Sequence, residues 1–142
     1  METDEILNYI YENAKMGKES TKTLIKSLEG KENKIIEAAE DILKSYADFE
    51  NKAKELIATT ELKEPKLIAK ISANMGIKMK TKKDNSDANI ADMLVQGLTM
   101  GELEMSKKIE SFKDTVSKES LTLAKEFRTF QANAIEKLKK FL

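Results

Sequence analysis

The sequence predicts an all-α fold, a bundle of four long helices in a single domain over residues 1–142. One observation is the composition, because one proline and five glycines favour long helices over sheets with many turns. A second is the length of 142 residues, which is enough to bury one hydrophobic core without a second domain. The third is hydrophobic periodicity. Apolar residues recur at spacings of three and four along four segments, as in helices that each bury one face.

Each of the four segments is predicted to be a helix from its own seam of apolar residues. The clearest seam runs from Ile35 to Thr60 through Tyr46 and Phe49, and it keeps its phase for about seven turns. Gly30 follows the first seam as a residue suited to the left-handed conformation after a helix. The predicted helices span residues 3–29, 32–61, 87–113 and 116–141.

The lengths of the connections predict the topology. Only a few residues separate the first helix from the second and the third from the fourth, so each pair is predicted to be an antiparallel hairpin. The connection over residues 62–86 is much longer, and it can return along the full length of the bundle. Two hairpins joined by one long crossover are the ferritin-like arrangement of four helices. After Pro65 the crossover has the apolar pattern of a short amphipathic helix, with Leu67, Ile68, Ile71, Met75 and Ile77.

Several stretches of the chain also resemble a known protein family. They are GIKMKTKKDNS at 76–86, IADMLVQGLTMGELEMSKKI at 90–109, the Met16-Gly17 pair and EKLKKFL at 136–142. Together they are similar to a small bacterial family of ferritin-like four-helix bundles that has no agreed activity, and the similarity covers nearly the whole chain. The resemblance implies the ferritin-like fold, in a superfamily whose better-known members hold paired iron or manganese ions.

The composition argues against several classes of function. Basic and acidic residues number 25 each, so no net charge recruits nucleic acid or an anionic membrane. Cysteine and histidine are absent, which removes thiolate chemistry, the commonest transition-metal ligand and the commonest general base near neutral pH. No apolar run is long enough for a membrane span, and the acidic N-terminal segment is unlike a signal peptide. We therefore expect a cytoplasmic protein without catalytic residues and without nucleic-acid or membrane partners.

A metal centre of the ferritin-like type is predicted to be absent. Such a centre takes a Glu-x-x-His pair from each of two helices, and this chain has no histidine. Carboxylates alone can hold hard cations, so a carboxylate site for iron or manganese is the alternative. On the predicted helices only Glu50, Glu102 and Glu104 lie beside a buried seam, and two or three scattered acids do not make a cage. We expect no cofactor, with these three glutamates as the metal ligands in the alternative.

The middle of the bundle is predicted to be small and polar. Thr21, Tyr46 and Gln131 point inward there from three different helices. Gly97 and Gly101 on the third helix permit close approach of a neighbouring helix. Two interpretations are open. The three polar residues form a hydrogen-bonded layer, or they surround a small cavity that binds a ligand or ordered water.

Apolar residues outside the seams predict a contact surface. Tyr9 and Met16 share the far face of the first helix, and Val95 and Leu103 share that of the third. The crossover can cover only one of these faces. A second copy of the chain is expected to cover the other, which predicts a homodimer.

The function predicted from these features is a non-enzymatic binding or assembly module without a di-metal site. The alternative is a carboxylate-bound metal protein with redox or metal-storage activity.

Overall fold

The computed structural model describes residues 2–60 and 85–142, which form four α-helices and no β-strand. The predicted all-α, four-helix architecture is confirmed for these residues. The short helix predicted in the crossover, with Leu67, Ile68, Ile71, Met75 and Ile77, lies outside the described residues. The helices are α1 at Glu2–Ser27, α2 at Ile36–Thr60, α3 at Asp87–Phe112 and α4 at Lys118–Leu138, followed by a 3₁₀ turn at Lys139–Phe141.

The turn between α1 and α2 contains the residue predicted to end the first helix. Gly30 has a φ of 77°, a left-handed conformation that glycine adopts without steric cost. The extended turn moves the start of α2 to Ile36, later than the predicted start near residue 32.

The start of α2 is held by residues at the beginning of α3. The backbone N–H groups of Lys34 and Ile35 donate to the carboxylate of Asp87 at 3.2 and 3.4 Å. Asn33 Nδ2 donates to Asp87 Oδ1 and to the carbonyl oxygen of Asn85, both at 2.9 Å. Asp87 therefore supplies an anionic acceptor for the N–H groups that directly precede α2, although it lies more than fifty residues away in the sequence.

The starts of α3 and α4 are capped locally by serine. Ser86 accepts a hydrogen bond from the backbone N–H of Asn89, and Ser117 accepts one from that of Ser120. Both serines have extended backbone conformations, as N-cap residues do. These caps explain why the predicted and observed starts of α3 agree and why α4 begins directly after Ser117.

The four helices enclose one hydrophobic core. α1 packs along α2 and α3 packs along α4, while contacts of α1 with α3 and of α2 with α4 close the bundle. An aromatic cluster fills the space between α2 and α4. Its ring centroids are 5.1 Å apart for Tyr46 and Phe130 and 5.1 Å apart for Phe49 and Phe127. Edge-to-face contacts of this kind add to the stabilisation that burial provides.

None of the helices within residues 2–60 and 85–142 has the length and apolar character needed to cross a bilayer.

Candidate functional site

Tyr46 on α2 lies in the core, directly against the backbone of Gly17 on α1. Its ring atoms Cε1, Cζ and Cε2 occupy the space that a Cβ atom at residue 17 would need. The ring also packs edge-on against Phe127 and Phe130, with centroid distances of 6.4 and 5.1 Å. Gly17 is therefore what allows a phenol ring to lie between the helices at this level.

The hydroxyl of Tyr46 is a neutral donor. Burial, with a smaller contribution from Tyr9, raises the pKa of Tyr46 well above its usual range, so the phenol keeps its proton. Among the described residues, none forms a hydrogen bond with this hydroxyl. Tyr46 lines a cavity, so a molecule bound there could accept the proton of its hydroxyl.

A cavity of about 210 Å³ lies beside Tyr46, between α1 and α3. Its lining combines apolar side chains, two glycines and neutral polar groups, and within residues 2–60 and 85–142 no charged side chain contributes to it. The lining residues are Asn13, Met16, Gly17, Ser20, Thr21, Leu24, Tyr46, Met93, Leu94 and Gly97.

Two of the polar groups in the lining already have partners. The Thr21 hydroxyl donates to the carbonyl oxygen of Gly17 at 2.7 Å, one turn earlier in α1. Asn13 Nδ2 donates to the Tyr9 hydroxyl at 2.9 Å, and Tyr9 donates to the carbonyl oxygen of Gly101 at 3.4 Å. Thr21 therefore offers a ligand only acceptor capacity, whereas the hydroxyls of Tyr46 and Ser20 can donate to one.

Gln131 on α4 makes a second close contact with a glycine. The end of its side chain fills the space that a Cβ atom at residue 101 would need, next to Asn13 Nδ2. Gln131 is completely buried, and neither its amide nitrogen nor its amide oxygen has a partner among the described residues. It does not line the cavity.

The three residues predicted for the polar layer are thus all buried, but they form no hydrogen bond with one another. Thr21 bonds within its own helix, Tyr46 lies at the cavity, and Gln131 packs on Gly101. A cavity next to Thr21 and Tyr46 is what the described residues provide.

The structure does not bring together the glutamates considered as metal ligands. Glu50 is 8% exposed, and the ammonium of Lys18 on α1 lies 2.5 Å from its carboxylate. Glu102 is half-buried on α3, and Glu104 is exposed and pairs with Lys107 at 3.4 Å. Within residues 2–60 and 85–142, no group of three acidic, histidine or cysteine side chains could hold a metal ion. Glu50 instead forms a partly buried ion pair between α1 and α2.

The residues predicted for an interface have different environments. Tyr9 packs against the core through its bond to Gly101, with the Lys108 ammonium 5.2 Å from its ring centroid, because this side of α1 faces α3. Met16 lines the cavity, and Val95 is half-buried against the core. Of the four residues, Leu103 is the exposed one, with 56% of its surface accessible to solvent. The homodimer stays a prediction.

A larger groove of about 520 Å³ lies between α2 and α4. Both signs of charge line it, with Glu37 and Asp41 from α2 and Lys137 from α4. These charged groups are exposed, so water and neighbouring charges already satisfy them. The smaller cavity is the better candidate because Tyr46, a core residue whose hydroxyl has no hydrogen bond to a described residue, lines it.

Sequence reasoning placed Thr21 and Tyr46 at the middle of the bundle and assigned Met16 to an interface, but it missed other residues of the cavity, above all Asn13, Ser20 and Met93. A signal for the first two exists in the sequence. Asn13 and Ser20 lie four residues before and three residues after Gly17, so on a helix they share its face. Met93 carries no such signal, because its place depends on how α3 packs against α1.

No protein-family model matches this chain, and no curated protein and no solved structure is similar to it. The resemblance to a ferritin-like family therefore stays a prediction. Function is inferred from the geometry of this chain alone.

Proposed function

We propose that this chain is a non-enzymatic binding module, a bundle with ferritin-like helix order that holds a small molecule in the cavity beside Tyr46. The observation that carries the proposal is the cavity of about 210 Å³ at the middle of the bundle, with a phenol hydroxyl at its wall to which no described residue is hydrogen-bonded. Small-molecule sites are commonly concave and mostly apolar, with a few polar groups that orient the ligand.

The contact between Asn33 and Asp87 supports the ferritin-like order. It holds the beginning of α3 beside the turn that precedes α2. α2 and α3 then start at the same end of the bundle, whereas in a simple up-and-down bundle they would start at opposite ends. A chain that ends α2 at one end and starts α3 at the other needs a long crossover.

The ion pair of Glu50 favours the binding module over the metal-bound alternative. A carboxylate that binds a cation needs its oxygen atoms free, but Lys18 already neutralises Glu50. The remaining candidates, Glu102 and Glu104, lie on α3, diagonally across the bundle from α2. A metal ion at Glu50 would have to displace the lysine and overcome its charge.

The cavity can be tested with benzene as a probe, since benzene enters an apolar cavity of about 150 Å³ in another protein. Methionine methyl groups labelled with ¹³C report its position. We expect benzene to shift the methyl resonances of Met16 and Met93, which line the cavity, and to leave Met100 unchanged. Met100 is the internal control because it lies on the outer face of α3, 69% exposed.

A matched variant is Gly97→Leu, which places a large side chain in the cavity from a position with open space around it. It should remain folded and abolish the shifts of Met16 and Met93. Equal shifts at all three methionines, or none with benzene at its solubility limit, would contradict the proposal. Stoichiometric iron or manganese in protein purified without chelator would contradict the proposed binding module and favour the metal-bound alternative.

A further inference from the structure

The chemistry of the cavity lining specifies the kind of ligand, an inference that rests on the function proposed above. Every side chain that the described residues contribute to the lining is uncharged. Transferring a charged ligand from water into such a site without a counter-charge is costly, so the lining selects against anions and cations.

The shape and atoms of the lining suit a flat ring. Gly97 leaves backbone surface uncovered by a side chain, because a Cβ atom at this position would meet nothing within 4 Å. Met16 and Met93 supply thioether sulfur to the lining, and sulfur makes favourable contacts with aromatic rings. A volume of about 210 Å³ exceeds what one benzene ring needs and leaves room for a small substituent.

The polar groups specify that substituent. The ring end of Tyr46 that carries its hydroxyl lies over Gly17, and no described residue forms a hydrogen bond with that hydroxyl. The Thr21 hydroxyl has already donated its own proton to Gly17, so toward a ligand it acts as an acceptor. With Asn13 and Ser20 also in the lining, the site offers both donors and acceptors, which fits a group that can both accept and donate.

We propose that the cavity binds a neutral, ring-sized aromatic molecule whose amide-like or carbonyl-containing substituent accepts a hydrogen bond from Tyr46. Among ligands of the same size, neutrality and the acceptor determine affinity, and the ring supplies the apolar contact.

Benzamide, benzoate and benzamidinium test this proposal because the three probes have nearly the same shape and differ in charge. Toluene is the fourth probe, since it keeps the ring and has no acceptor. Dissociation constants come from titrations that follow the methyl resonances of Met16 and Met93. We expect benzamide to bind at least about tenfold more tightly than either charged probe, because each would bury an unpaired charge.

Tyr46→Phe provides a matched variant that removes only the hydroxyl. It should weaken benzamide binding roughly three- to tenfold and leave toluene binding unchanged, as expected for the loss of one hydrogen bond. Circular dichroism shows whether the variant is folded. If the variant does not fold, the comparison of the four probes on the parent protein still tests the proposal.

The outcomes separate this inference from the function on which it rests. If toluene binds and benzamide binds no better, or if a charged probe binds best, the proposed ligand class is wrong and the cavity still binds small molecules. If no probe shifts Met16 and Met93, the proposed function fails as well. Equal loss of toluene and benzamide affinity in folded Tyr46→Phe would refute the hydrogen bond from the hydroxyl.

Discussion

Gly17 and Gly101 form two close contacts at the centre of the bundle that differ in what each glycine admits. Gly17 faces the phenol ring of Tyr46, and Gly101 faces the amide of Gln131. The ring belongs to an aromatic cluster and cannot move without disturbing it, whereas the amide ends a flexible side chain. The first contact buries apolar surface, and the second buries two polar atoms without partners among the described residues. Glycine thus permits tight apolar packing at one contact and makes room for an amide without described partners at the other.

The largest effect is expected for Gly17→Ala. The added methyl group would overlap the Tyr46 ring, which Phe127 and Phe130 hold in place, so the helices must move apart. We expect the free energy of unfolding to fall by about 3 kcal/mol, at the upper end for overpacking, as measured by urea denaturation.

Gly97→Ala is the matched control for Gly17→Ala, because it adds the same methyl group to a helical glycine with no atom within 4 Å. It should raise the free energy of unfolding by about 0.5–1 kcal/mol through helix propensity. Equal effects of the two substitutions would show that the Tyr46 ring does not press on Gly17 in solution.

A smaller loss is expected for Gly101→Ala. The new methyl group would overlap the end of Gln131, and that side chain can rotate away at modest cost. We expect a loss of about 1–2 kcal/mol in unfolding free energy, partly offset by helix propensity. In a Gln131→Ala background the overlap disappears, so the same substitution should become neutral or stabilising. An unchanged cost in that background would place the strain elsewhere, for instance at Asn13.

The smallest effect is expected for Gln131→Met, and this substitution should stabilise the fold instead of destabilising it. Methionine keeps the approximate volume of glutamine and removes the two buried polar atoms that lack partners. We expect the free energy of unfolding to rise by about 1 kcal/mol, seen as a higher midpoint in thermal denaturation. A lower midpoint would show that the Gln131 amide is hydrogen-bonded in solution, for example to a buried water molecule.

The sequence predicted the helices well and the central contacts only in part. Periodicity located four helices, and local serine caps explain why α3 starts at Asp87 as expected. It also placed Tyr46, Thr21 and Gln131 inside the bundle, and all three are buried. It did not predict their partners. An inward direction follows from helical phase, but a partner depends on how far one helix is shifted along another.

The start of α2 shows the same limit. The N–H groups of Lys34 and Ile35, just before the helix, donate to Asp87, which is separated from them by more than fifty residues, so no local pattern could reveal this contact. Lys18 and Glu50 are a second case. Helical phase placed Glu50 beside a buried seam, and only the packing of α1 on α2 identified Lys18 as its partner in a partly buried pair.

The sequence by itself determined the fold class, the four helices, the position of Gly30 and the absence of histidine and cysteine chemistry. These follow from composition and from local periodicity, which act within a few turns of helix. Only the tertiary structure decided that Tyr46 lies on Gly17, that Gln131 lies on Gly101 and that a neutral cavity opens between α1 and α3. The physical reason is that contacts between helices depend on their relative shift and rotation, and many long-range contacts fix these together.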